Sequence, residues 1–199
     1  LKPEAAMKRL SIALILSVGA ASPAFAHLNP AEHGSFAAGF SHPLFGADHI
    51  LAMVGVGLWA FLVGGRAVWM IPTAFVVTMM LGFAAALANI GLPFVEPAIA
   101  ASVVVLGLLA LVALQVPVAV GMAVVGFFAL FHGYAHGGEL GEATSLSFMA
   151  GFALATALLH AAGIGIGLAG NALSHRGRVA ARIAGGLTAL GGLWLVAGA

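Results

Sequence analysis

Apolar residues run through this chain in six long stretches, at about 44–63, 68–90, 96–115, 118–136, 145–170 and 178–198. Each is close to the roughly 20 mostly apolar residues that a membrane-crossing helix needs. The joints between them are short and hold helix-breaking or turn-forming residues: Gly64-Gly65, Asn89 to Pro93, Gln115 to Pro117, Gly137 to Glu142 and Asn171 to Gly177. The pattern predicts an all-α integral membrane protein of six transmembrane helices, with no room for a soluble domain. A seventh, shorter apolar run lies upstream. Residues 1–6 read as an expression scar or an over-extended frame, and Met7 as the start. Lys8-Arg9, the run Leu10–Val18 and then Ala24-Phe25-Ala26 form a basic, an apolar and a cleavage region, which predicts a signal peptide cut after Ala26. The alternative is an uncleaved first helix. The expected organisation is therefore a leader and signal peptide over 1–26, a periplasmic histidine-containing tail over 27–43 and a six-helix permease domain over 44–199.

Composition sharpens the class. Charged residues make up 7% of the chain, against roughly 25% in soluble domains. This excludes a water-soluble or a disordered protein. With 7 basic and 6 acidic residues there is no basic face for a nucleic acid. The absence of cysteine excludes disulfides, iron–sulfur clusters and thiolate metal sites. Beyond Ala26 the basic residues are Arg66, Arg176, Arg178 and Arg182. With the mature N-terminus outside, all four fall on the cytoplasmic side, while Glu32, Glu96, Glu139 and Glu142 fall on the other. Basic residues mark the cytoplasm, so the expectation is N-out, C-out in a bacterial inner membrane, with a negative outer face that suits an arriving cation. Glycines 163, 165, 167 and 170, and 185, 186, 191 and 192, read as close helix packing. No internal repeat is clear.

Ionisable groups inside a membrane are costly and therefore functional suspects. Seven remain once tails and loops are set aside: His42, Asp48, His49, His132, His136, Glu139 and His160. In the first cluster, Pro43 suits a helical first turn, which places the start of span one there and Asp48 and His49 one to two turns inside. An interfacial cap is the plain alternative, but it leaves two neighbouring histidines unexplained. In the second cluster, His132, His136 and Glu139 fall at 0°, about 40° and about −20° around a helix, so one narrow face carries two imidazoles and a carboxylate. Gly137-Gly138 leaves open a helix that ends early, with Glu139 approaching from a loop. Span one descends from outside and span four returns to it, so both clusters lie at a similar depth and could share one ion. His160, in span five, reads equally as a second station further in or as a hydrogen-bonded packing histidine. His27 and His33 could collect metal outside or be ordinary tail residues. Imidazole with carboxylate suits nickel, cobalt or zinc, whereas magnesium and calcium want mostly oxygen.

The segment from Gly39-Phe40-Ser41-His42-Pro43 through Gly46-Ala47-Asp48-His49-Ile50-Leu51-Ala52-Met53 to Gly57-Leu58-Trp59 resembles the HupE/UreJ family of nickel/cobalt permeases. So does Phe131-His132-Gly133-Tyr134-Ala135-His136-Gly137-Gly138-Glu139. The resemblance implies import of nickel or cobalt, often to supply hydrogenase or urease. It implies His42, Asp48, His49, His136 and Glu139 as transport residues, with Glu96 where an acidic residue of the family is expected. On this reading the chain is no enzyme and has no prosthetic group. Its substrate is Ni2+ or Co2+ and its surroundings are lipid. No ATPase subunit is evident, no Walker A motif is present, and a homo-oligomer stays open. The competing reading is an intramembrane zinc-dependent hydrolase, with two histidines and an acid holding zinc and Asp48 activating water. A third is a haem-binding membrane cytochrome with paired histidines.

Overall fold

Helices account for nearly all of the residues that the computed structural model describes, which are 35–138, 145–169 and 175–198, within the compact unit Ala31–Ala199. In chain order they are α1 (Phe36–Phe45), α2 (Ala47–Val63), α3 (Ala67–Leu87), α4 (Val95–Val112), α5 (Val118–Gly138), α6 (Ser145–Ala169) and α7 (His175–Gly198). Helices α3 to α7 are each long and apolar enough to cross a membrane. They fall on the second to sixth predicted stretches. Among the described residues, a sixth crossing exists only if α1 and α2 together make one span, and that pair is bent by 85°.

The bend corrects the sequence reading of span one. Pro43 does not open a helix; it lies in the last turn of α1. Proline cannot donate its missing N–H and weakens the helix around it, and α1 ends two residues later. Gly46 then runs extended (φ −88°, ψ 116°) and α2 starts at Ala47. At the other end of α1, the Ser35 hydroxyl accepts a hydrogen bond from the Ala38 N–H at 3.0 Å, a standard N-cap. Residues 36–43, expected as tail, are thus helical, and α1 lies against α6.

Helix α2 is the centre of the bundle, touching α1, α3, α4, α6 and α7. Its sequence is apolar on every side, which belongs to a helix surrounded by others; Ala52, Met53, Val56, Leu58, Trp59 and Ala60 are completely buried. The outer helices instead present Trp69, Leu81, Phe127, Leu158, Leu190 and Trp194 outward. Such an apolar exterior would be a liability in water and is the natural surface toward lipid.

Glycine sets several crossings, among them α2 with α6 and α3 with α5. Gly57 on α2 faces the His160 carbonyl on α6, and Gly163 on α6 faces the Val54 carbonyl on α2; a methyl at either would strike backbone. Gly82 and Gly133 do the same for α3 and α5, against the Leu130 and Met79 carbonyls. Small residues let membrane helices come this close. At the far end of α2, the Trp59 indole N–H donates to the Leu114 carbonyl at 2.9 Å and the Gln115 amide to the Leu62 carbonyl at 3.0 Å. Arg182 donates to the Leu111 carbonyl at 2.8 Å. The ends of α2 and α4 and the first turns of α7 therefore meet at one end of the bundle, opposite the first turn of α2.

Candidate metal site

The first turn of α2 sets the site. Asp48 is an acid where the helix dipole favours one, and a single oxygen, Oδ1, accepts from the His49 backbone N–H at 2.8 Å and from His49 Nδ1 at 2.9 Å. A carboxylate only accepts, so His49 carries its proton on Nδ1 and its Nε2 lone pair points away. That lone pair meets His136 Nε2 of α5 at 2.6 Å, both residues being buried. His136 therefore supplies the shared proton from its own Nε2. This is the carboxylate–histidine arrangement that orients an imidazole and raises its basicity toward a metal.

Two more histidines flank the pair. The His42 ring, reaching in from α1, lies 4.4 Å from the His136 ring and 6.4 Å from the His49 ring, centroid to centroid. The His132 ring, one turn before His136 on α5, lies 5.0 Å from His49 and perpendicular to it. The fixed scaffold thus brings together His42, Asp48, His49, His132 and His136 from three helices. Phe152 of α6 walls the cluster, 4.8 Å from His136, 6.1 Å from His49 and 6.2 Å from His42. Such an apolar wall limits water and strengthens each polar contact inside it.

Among the described residues, no three His, Asp or Glu side chains already converge on one ion position. Two imidazoles on one ion, with bonds of about 2.0–2.1 Å, hold their nitrogens about 3 Å apart. The His49–His136 separation would need only a small opening, with the His136 proton moving from Nε2 to Nδ1 so that two neutral imidazoles turn their Nε2 lone pairs toward an entering ion. The sequence-predicted residues His27, His33 and Glu139 lie outside the described residues. Glu96 is exposed in the first turn of α4, where it complements the helix dipole, and no contact among the described residues links it to the cluster. His160 is buried on α6 but apart from the pair; its ring meets Phe75 at 5.0 Å.

Ser102 of α4 is a member that sequence reasoning missed. Its hydroxyl donates to the Ile99 carbonyl at 2.6 Å, and Oγ lies 2.9 Å from His132 Nε2. The hydroxyl proton is committed, so Oγ accepts and His132 carries its proton on Nε2. Its Nδ1 is left with a buried lone pair that has no partner among the described residues. The signal was faint: Ser102 is the one hydroxyl in α4, and a lone serine in such a helix ordinarily bonds its own turn. We expect Ser102→Ala to lower metal uptake about tenfold, the smaller end of what an orienting partner contributes, with the folded amount unchanged. Nitrogen-15 spectra of the histidines should show His132 losing its single tautomer; an unaltered tautomer would contradict the assignment.

Apart from Thr188, every buried polar side chain among the described residues lies in or beside this group: His49, Ser102, His132, His136, Thr156 and His160. The chain matches the family described as HupE / UreJ protein over residues 14–195. It is 46% identical over 180 residues to Protein HupE of Rhizobium leguminosarum bv. viciae, covering 89% of this chain and 93% of that relative. No solved structure matches it.

Proposed function

Because this chain belongs to the HupE/UreJ family, a family of transporters and not of enzymes, we propose that it imports nickel, with cobalt as the second cargo, from the periplasm through the His49–His136 pair. Membership in a transporter family removes the hydrolase reading. The observation that carries the proposal is the Asp48–His49–His136 relay: in a multi-pass membrane protein, a buried imidazole pair oriented by a carboxylate suits a borderline divalent ion and offers little to an alkaline-earth one.

In this reading the bent α1–α2 pair counts as the first of six spans, behind a cleaved signal peptide, and the membrane is the bacterial inner one. The arginine distribution supports the direction. Arg66 follows α2, Arg182 ties to α4's far end, and Arg176 and Arg178 open α7, so all four gather opposite the histidine cluster. Basic residues favour the cytoplasm. His42, half-buried on α1, meets the ion first, and Glu139 and the histidines of the tail, His27 and His33, help to gather it. Then Asp48, His49, His136 and His132 exchange for its water. A site that used all of them at once would not release its cargo; conduction needs weak or successive sites. The membrane potential draws a divalent cation inward with about 4.6 kcal/mol per 100 mV.

The test is uptake of radiolabelled nickel into proteoliposomes, with cobalt and zinc as competitors. Wild type should show saturable uptake, and His136→Ala, inserted in equal amount, should lose it. Equal uptake by the variant, or none by wild type, would overturn the proposal.

A further inference from the structure

Beyond the outer cluster runs a second line of contacts. Phe148, Phe152, Thr156 and His160 recur every four residues on α6, and Phe75, Met79 and Phe83 do so on α3, so each set shares one helix face. The faces meet in antiparallel register. Phe83 stacks on Phe148 at 6.2 Å, the Thr156 hydroxyl donates to the Met79 sulfur at 3.6 Å, and Phe75 meets His160 edge-on at 5.0 Å. The same Phe75 ring lies 5.8 Å from His132. Phe75 therefore stands between the innermost histidine of the cluster and His160.

His160 is 1% exposed, and neither ring nitrogen has a hydrogen-bond partner among the described residues. Buried polar groups are nearly always satisfied, and each exception asks for an explanation. Packing does not supply one: a leucine would fill this apolar position without two orphaned nitrogens. One turn before His160 on the same face of α6, the Thr156 hydroxyl donates to the Met79 thioether, and Met79 lies one turn beyond Phe75 on α3. Imidazole with thioether and hydroxyl suits a borderline or soft transition-metal ion rather than calcium or magnesium.

We propose that His160, with Thr156 and Met79 beside it, is a second and weaker station for a divalent transition-metal ion, reached from His132 Nδ1 when the Phe75 ring turns aside. The inference rests on the import reading above. It supplies what that reading lacks, a place for the ion to go once it leaves the outer pair. Met79 and Thr156 pack tightly, so the station forms only as the ion arrives, which keeps it weak and allows release.

The experiment compares the full-length wild type with His160→Leu, using nickel alone as probe. Nickel uptake into proteoliposomes should fall at least tenfold in the variant. The first nickel equivalent should bind the purified protein with unchanged affinity, and a second, weaker equivalent present in wild type should be missing. The thermal midpoint of metal-free His160→Leu should rise, because two unsatisfied buried nitrogens are gone; a packing histidine would give a fall. Wild-type uptake by the variant, or a reduced midpoint with weakened first-site binding, would overturn the inner station and leave the import reading standing. Should wild type itself carry no nickel, the import reading fails, and equal nickel stoichiometry in the two proteins would then overturn the station as well.

Discussion

Asp48→Asn should reduce nickel uptake about 100-fold or more while the protein inserts and folds normally. The substitution changes almost no volume, and Asp48 is partly exposed at the start of α2, with 36% of its side chain accessible. What it changes is the proton on His49. The carboxylate oxygen holds His49 in the Nδ1–H form at 2.9 Å. An asparagine can turn its NH2 group to the same nitrogen, and the ring proton then moves to Nε2, the atom that faces His136. The ligand lone pair is lost and so is the negative charge that offsets the positive end of α2. Removing an orienting partner of a metal-bound histidine costs 10–100-fold, and a wrong tautomer in an imidazole site costs more. Uptake in proteoliposomes at matched protein, with histidine nitrogen-15 shifts as the second readout, checks it. Near wild-type uptake would show that the His49 tautomer is not used.

The second large effect is structural. Gly57→Ala should abolish recovery of folded protein, because the added methyl would meet the His160 carbonyl and come within 3.0 Å of the Gly163 Cα. Overpacking at a yielding position costs about 1–3 kcal/mol; here the obstacle is the backbone of α6, and the two helices must separate. That separation also moves the turn bearing His160 away from Phe75. Yield of monodisperse protein in detergent and its thermal midpoint measure the effect. By contrast Gly165 faces open space, so Gly165→Ala is the matched control and should behave as wild type.

Much of this was legible in the sequence for one physical reason. In a chain so poor in polar groups, each buried histidine stands out, and His42, Asp48, His49, His132 and His136 do come together from α1, α2 and α5. The helical spacing of His132 and His136 required no tertiary information. The 85° break was not legible, since Pro43 has the same sequence signature at a helix start as in a last turn, and only the packing of α1 on α6 separates the two. Ser102 and Phe152 were hidden differently. A serine or phenylalanine within an apolar helix is ordinary, and its role depends on which neighbour it faces across the bundle. The reading of Gly163 as close packing met its counterpart in Gly57, which the spacing alone did not pair with it.

The central claim is that the His49–His136 pair holds the transported ion. X-ray absorption at the nickel edge of protein loaded with one equivalent tests it most directly. The account predicts a first shell with at least two imidazole nitrogens, oxygen in the remaining positions and no sulfur, reduced by one imidazole in His136→Ala. A shell of oxygen alone in the wild type would contradict it.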